Sequence, residues 1–159
     1  MACIKKCMPF LHRKGEIKMR DVEWEKSLYD HQHEMIKRLD TYRKRPSGEN
    51  YSKDETMVIE HSFQLLVASM LDLARYVLEH HYKTEVASRR EVLNALIEHN
   101  DVTYEQAEQI RTLITLRNKV LHDYLDENFK DLKEAMTLRR YGLVEILTKE
   151  WITRLSSLS

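Results

Sequence analysis

Three tetrads punctuate this chain: Ser52-Lys53-Asp54-Glu55, Ser88-Arg89-Arg90-Glu91 and Thr103-Tyr104-Glu105-Gln106. In each, a hydroxyl stands three residues before a Glu or Gln and just ahead of apolar residues recurring every third or fourth position. That is the capping-box pattern, in which the hydroxyl and the Glu or Gln each satisfy one backbone N–H of a helix's first turn. Behind Ser52, the residues Met57, Phe63, Leu66, Val67, Met70, Leu73, Ala74 and Val77 make the most hydrophobic stretch, predicted as a central helix reaching Tyr82. Behind Ser88, the residues Val92, Leu93, Leu96 and Ile97 predict a short helix that stops at Asn100-Asp101. Behind Thr103, the residues Ala107, Ile110, Leu113, Ile114 and Leu116 predict another. Two more runs flank these. Asp21 caps a helix from Val22 to about Arg45 carrying Trp24, Leu28, Met35, Ile36, Leu39 and Tyr42, closed by Arg45-Pro46-Ser47-Gly48. A last long helix runs from about Glu127 to Arg154 through Phe129, Leu132, Met136, Leu143, Ile146, Leu147 and Trp151. With Gly 3 and Pro 2 in 159 residues there is little to build hairpins from. The expected fold class is all-α, an up-and-down helical bundle of four to five helices.

The length suits one domain. It is expected over residues 19–159, behind an aperiodic N-terminal extension, residues 1–18. Cys3 and Cys7 both fall in that extension, so they staple no core, and a reducing compartment fits. Cys3, Cys7 and His12 fall short of the four ligands of a structural zinc site. No Glu is followed three residues later by His, as a di-metal bundle site requires. Neither metal nor cofactor is therefore expected. Lys+Arg 26 balances Asp+Glu 26, which excludes the global positive field of a nucleic-acid coat protein, so any RNA contact must be local. No apolar run approaches a membrane span, and Lys5, Lys6, Pro9 and His12 interrupt any secretory apolar segment. A cytoplasmic protein without a membrane partner is expected.

The densest chemistry lies in Arg117-Asn118-Lys119-Val120-Leu121-His122-Asp123-Tyr124. Arg stays charged at any accessible pH and grips a phosphate through two parallel hydrogen bonds, while His exchanges protons near neutrality. This is the equipment of phosphodiester cleavage. The same spacing, Arg-x4-His-x-Tyr, occurs earlier in Arg75, His80 and Tyr82, at the end of the central helix. That copy has Tyr76 where the later one has Asn118, and Glu79 would set an acid beside a phosphate, so the later copy is preferred. In it, Asn118 and His122 share a helix face on adjacent turns, while Arg117 and Tyr124 share a neighbouring stripe. From physics alone an ordinary helix C-terminus, with basic residues complementing the dipole and Tyr124 packed on the core, accounts for these residues equally well. Lys119, Arg111, Arg139 and Arg140 are candidates for a basic rim, although solvated helix faces carry such charges more often.

The order of long helix, apolar helix, short helix and motif helix, with Arg-Asn-x3-His-Asp-Tyr near the end of the last, resembles the HEPN superfamily, and within it the HepT-like toxins. The resemblance covers roughly Val22 to Arg154, and the extension through Lys18 has no counterpart in it. It implies a HEPN-type bundle acting as a metal-independent endoribonuclease toxin of a type VII-like toxin–antitoxin system. Such proteins form a homodimer in which two motif copies line one cleft. It implies that Arg117 holds the scissile phosphate, that His122 is general acid or base, that Asn118 positions one of them, and that Tyr124 is the tyrosine a cognate minimal nucleotidyltransferase antitoxin modifies with AMP. Asp123 has no assigned role. A different reading of the same resemblance is a non-catalytic helical module that docks and orients a nucleotidyltransferase.

Overall fold

The computed structural model describes residues 19–46, 50–122 and 129–157, which form six α-helices and no strand. They are α1 (Val22–Arg43), α2 (Lys53–His80), α3 (Arg89–Glu98), α4 (Tyr104–Leu121), α5 (Phe129–Thr137) and α6 (Gly142–Ser156). The all-α class is as expected. Helix α2 packs against each of the other five and carries the core, with Ile59, Phe63, Leu66, Val67, Tyr76, Val77 and Leu78 inaccessible or nearly so. Trp151 of α6 and Tyr141 just before it fill the opposite wall.

Two of the three tetrads close as capping boxes. Ser52 Oγ accepts from Glu55 N at 3.1 Å while Glu55 Oε1 accepts from Ser52 N at 2.9 Å. Thr103 and Gln106 do the same at 3.1 and 3.0 Å. At Ser88 the helix begins as expected, but the side chain makes no capping bond. Helix α3 stops where the sequence predicts: Asn100 adopts φ 53, and the N–H groups of Asn100 and Asp101 return to Ile97 O and Leu96 O. That is a Schellman stop, with Asn in the left-handed position it tolerates.

The expected single helix from Glu127 to Arg154 is instead two. After Thr137 the chain makes a second Schellman turn, Arg139 N to Met136 O and Arg140 N to Ala135 O, with Arg139 at φ 51. A left-handed Arg is unfavourable by itself. Its guanidinium compensates by clasping Asp40 of α1, Nε and Nη2 donating to the two carboxylate oxygens at 2.9 and 3.0 Å, and Tyr141 Oη donates to the same carboxylate. Gly142 then starts α6 because a Cβ there would stand 2.9 Å from Arg139 Nη1, the group already locked onto Asp40.

A second expectation also needs correcting. Helix α2 is long and apolar enough to cross a membrane by length and composition, although no such run was expected. In the bundle its apolar length is used as a core, and it buries Ser62, Ser69, Glu79 and His80 among the other helices. Cys3, Cys7 and His12 lie outside the described residues.

Candidate functional site

The rotation of α4 is set by its apolar stripe. Ala107, Ile110, Leu113, Leu116 and Val120 are buried, which leaves Arg117 half-buried at the edge of the core face and Asn118 exposed one position further round. The helix ends at Leu121, and His122, exposed, is its C-terminal cap residue at φ −104, ψ 14, with its N–H donating to Val120 O. The last turns of α4 therefore carry all three, Asn118 and His122 four residues apart on one face and Arg117 further round the helix toward the core. Asp123 and Tyr124 lie outside the described residues. A helix C-terminus carries partial negative charge and repels anions. An anion bound here depends on a cation, and the last turns of α4 carry two, the half-buried Arg117 and the exposed Lys119.

Helix α4 packs against both α2 and α3, which are joined by a two-pronged ion pair: Arg89 Nε and Nη2 donate to Asp72 Oδ1 and Oδ2 at 2.9 and 3.0 Å. Burial pushes the pKa of Arg117 below that of a free guanidinium; the Arg89 charge adds to this and Asp72 opposes it. The group remains charged, because no accessible pH deprotonates Arg. Its Nε is buried and has no hydrogen-bond partner among the described residues. A buried donor on a fixed cation calls for an acceptor, and a phosphate oxygen is one. Sequence reasoning had no signal for Asp72 or for the proximity of Arg89, since both arise from the packing of α2, α3 and α4.

The earlier copy of the motif is engaged in structure. Tyr82 Oη donates to Asp101 Oδ1 at 2.5 Å, and burial, with the Asp101 carboxylate adding, pushes its phenol up to about 12. Asp101 also accepts from Trp151 Nε1 at 2.6 Å and pairs with Arg154 Nε at 3.0 Å. His80 is buried, its ring 4.1 Å from that of Tyr76, and Arg75 Nη2 donates to Ala87 O at 3.3 Å. These three side chains are not presented together to solvent.

The other flank of α4 borders two open grooves. One, of about 590 Å³, is walled by Gln109, Thr112, Leu138, Arg140 and Ile146; the next, of about 420 Å³, by Arg111, Thr115, Lys119, Asp131 and Glu134. The basic rim considered from the sequence is partly neutralised: Arg111 pairs with Glu108, and Arg139 with Asp40 and Glu145. Among the described residues no three His, Cys, Asp or Glu side chains gather to hold a metal.

Comparison with known proteins bears on this site. A family model described as "Ribonuclease HepT-like" matches residues 33–146, from within α1 to the first turns of α6. A tri-AMPylated HEPN toxin of Shewanella oneidensis, solved in complex with MNT antitoxin, superposes with a TM-score of 0.70 at 17% identity, over 85% of this chain and 98% of that one. A toxin–antitoxin complex solved with AMP-PNP contains a chain that superposes at 0.67 and 16% identity, over 81% of this chain and 99% of that one. No curated protein matches. At such identities the two structures establish a shared fold.

Proposed function

Because the chain belongs to the HepT-like ribonuclease family, we propose that it is a metal-independent endoribonuclease, the toxin of a cytoplasmic toxin–antitoxin pair. The observation that carries this reading is the end of α4, where a fixed guanidinium with an unpartnered buried donor stands on the same helix end as an exposed imidazole. Arg117 holds a phosphate of RNA and stabilises the charge that builds on its oxygens. His122 takes the proton of the adjacent 2′-hydroxyl as that oxygen attacks phosphorus. The bond from phosphorus to the 5′-oxygen breaks, and that oxygen is protonated as it leaves. The products are a 2′,3′-cyclic phosphate and a 5′-hydroxyl. Asn118, one residue from Arg117 and four from His122, orients the phosphate or the imidazole.

The active species in this proposal is a homodimer in which two copies of the α4 end face one cleft, so that the acid and the base of one reaction come from different protomers. Its partner is a minimal nucleotidyltransferase that transfers AMP to Tyr124. The bulky anion so attached competes with RNA for Arg117, the electrostatic logic of a phosphorylation switch. The Shewanella oneidensis toxin is both AMPylated and bound to an MNT antitoxin, which supports this part of the reading.

The test is induction of the chain alone, with and without His122→Ala, with growth followed and total RNA probed for new 2′,3′-cyclic phosphate ends. Growth arrest with new ends, both lost in a folded His122→Ala variant, is the expected result. Arrest that persists in that variant, or arrest without new ends, overturns catalysis and leaves a module that docks a nucleotidyltransferase.

A further inference from the structure

Asp72 of α2 binds Arg89, the first residue of α3, and both helices pack against α4, which carries Arg117 near its end; the charges of Asp72 and Arg89 both act on that guanidinium. We propose that Arg89 is a second phosphate-binding residue of this site, parked on Asp72 until RNA takes its place. The proposal rests on the ribonuclease reading and adds to it a residue outside the octapeptide, carried by a different helix.

Three observations point the same way. First, Arg89 and Asp72 are 45% and 31% exposed, so their ion pair is open to water and easily exchanged. Second, two like charges and one carboxylate leave the cluster with net positive charge. Besides burial, the Arg89 charge lowers the Arg117 pKa and Asp72 opposes it. An incoming phosphate balances the net positive charge. Each guanidinium can meet a pair of its oxygens, and a phosphodiester flanked by two arginines is held in plane as well as in place. Third, Arg117 Nε is a buried donor without a partner. Asp72, occupied two-pronged by Arg89, makes no hydrogen bond to Arg117 in this state.

The experiment uses the full chain and a 2′-O-methyl oligoribonucleotide, which carries the phosphates of RNA and has no free 2′-hydroxyl to react. Binding is followed by fluorescence anisotropy across a salt series. Arg89→Gln is expected to weaken binding and to reduce the slope of log affinity against log salt by about 0.7, the loss of one phosphate contact to a single strand. Arg89→Lys keeps the slope, because the charge remains, while losing part of the affinity. Asp72→Asn frees Arg89, removes a negative charge from the site and tightens binding. With unmodified RNA, Arg89→Gln raises KM more than it lowers kcat. An unchanged slope in a folded Arg89→Gln chain together with unchanged affinity in Asp72→Asn overturns the proposal. If at the same time His122→Ala still abolishes cleavage, the ribonuclease reading stands without it. If the unaltered chain neither binds the oligonucleotide nor cleaves RNA, both fall together.

Discussion

Arg75-x4-His80-x-Tyr82 and Arg117-x4-His122-x-Tyr124 have the same spacing and sit at the ends of two neighbouring helices, yet the bundle treats them in opposite ways. The earlier copy ends the central helix, whose every face meets another helix, so its groups are drawn into the core: His80 is buried and Tyr82 is bonded to Asp101. The later copy ends a helix with one buried stripe, and beyond Val120 that stripe has run out. What remains is a half-buried Arg, an exposed Asn and an exposed His. Spacing puts such residues within reach of one another. Whether they are free to act depends on how much of their helix the core has claimed.

The largest effect should separate the copies by activity. Arg117→Ala and His122→Ala are each expected to reduce RNA cleavage by about 10²- to 10⁴-fold, with melting temperatures close to that of the unaltered chain. Arg75→Ala should leave cleavage where it was. Cleavage assays on purified protein decide this, and a loss in Arg75→Ala equal to that in Arg117→Ala would erase the distinction.

Next in size is the converse effect at the earlier copy. Asp101 has a fully buried side chain and joins Tyr82, Trp151 and Arg154, so it ties the end of α2 to α6. Asp101→Ala leaves the Tyr82 and Trp151 donors without their acceptor, takes from Arg154 one of its two carboxylates, and should cost about 3–5 kcal/mol of stability, visible as an earlier urea midpoint. Tyr82→Phe removes one of these bonds and should cost about 1–3 kcal/mol. Cleavage per folded molecule is expected to be unchanged in Tyr82→Phe. A folded Tyr82→Phe chain that has lost activity would move the earlier copy into the functional site.

These contrasts mark what was legible in the sequence. Helices with strong local marks were: Ser52 with Glu55 and Thr103 with Gln106 close as capping boxes, and α3 stops at Asn100-Asp101. The octapeptide stood out as well, on Asn118 and on the acid at Glu79 in the earlier copy, and its role is what the cleavage assays above test. The break after Thr137 was not. Leu138-Arg139-Arg140-Tyr141 holds no Pro or Gly, and what makes a left-handed Arg139 tolerable is Asp40, 99 residues away in sequence. Gly142 was the local trace of that contact, and it reads as an ordinary helix glycine until Arg139 is seen above it. Arg89 and Asp72 were hidden for the same reason: their meaning comes from a third helix.

Asp40 extends the comparison to pH. Arg139 donates hydrogen bonds to it and holds its carboxyl at about 2, against the usual carboxylate range, with Tyr141 contributing and burial opposing. A carboxylate whose pKa is depressed by folding stabilises fully above its unfolded value, near pH 4, and loses that contribution as pH falls toward about 2. Asp40→Asn is therefore expected to destabilise at pH 7 and to flatten the stability profile between about pH 4 and pH 2. Equilibrium unfolding at a series of pH values reads both. A variant with the same acid limb as the unaltered chain would mean that the Arg139 turn does not depend on this carboxylate.

The smallest effect concerns two tetrads that look alike in sequence and differ in the fold. Ser52 Oγ accepts the Glu55 N–H, whereas the Ser88 side chain makes no capping bond. Ser52→Ala should cost about 1 kcal/mol and Ser88→Ala close to nothing, since only the first leaves an N–H without its acceptor. Chemical unfolding of the two variants side by side makes the measurement, and equal losses would show that α3 is capped in solution as its sequence first suggested. The difference matters beyond a single hydrogen bond. Arg89, the residue after Ser88, is bonded through its side chain to Asp72 of α2, so the start of α3 is held by an inter-helix ion pair rather than by a side-chain cap.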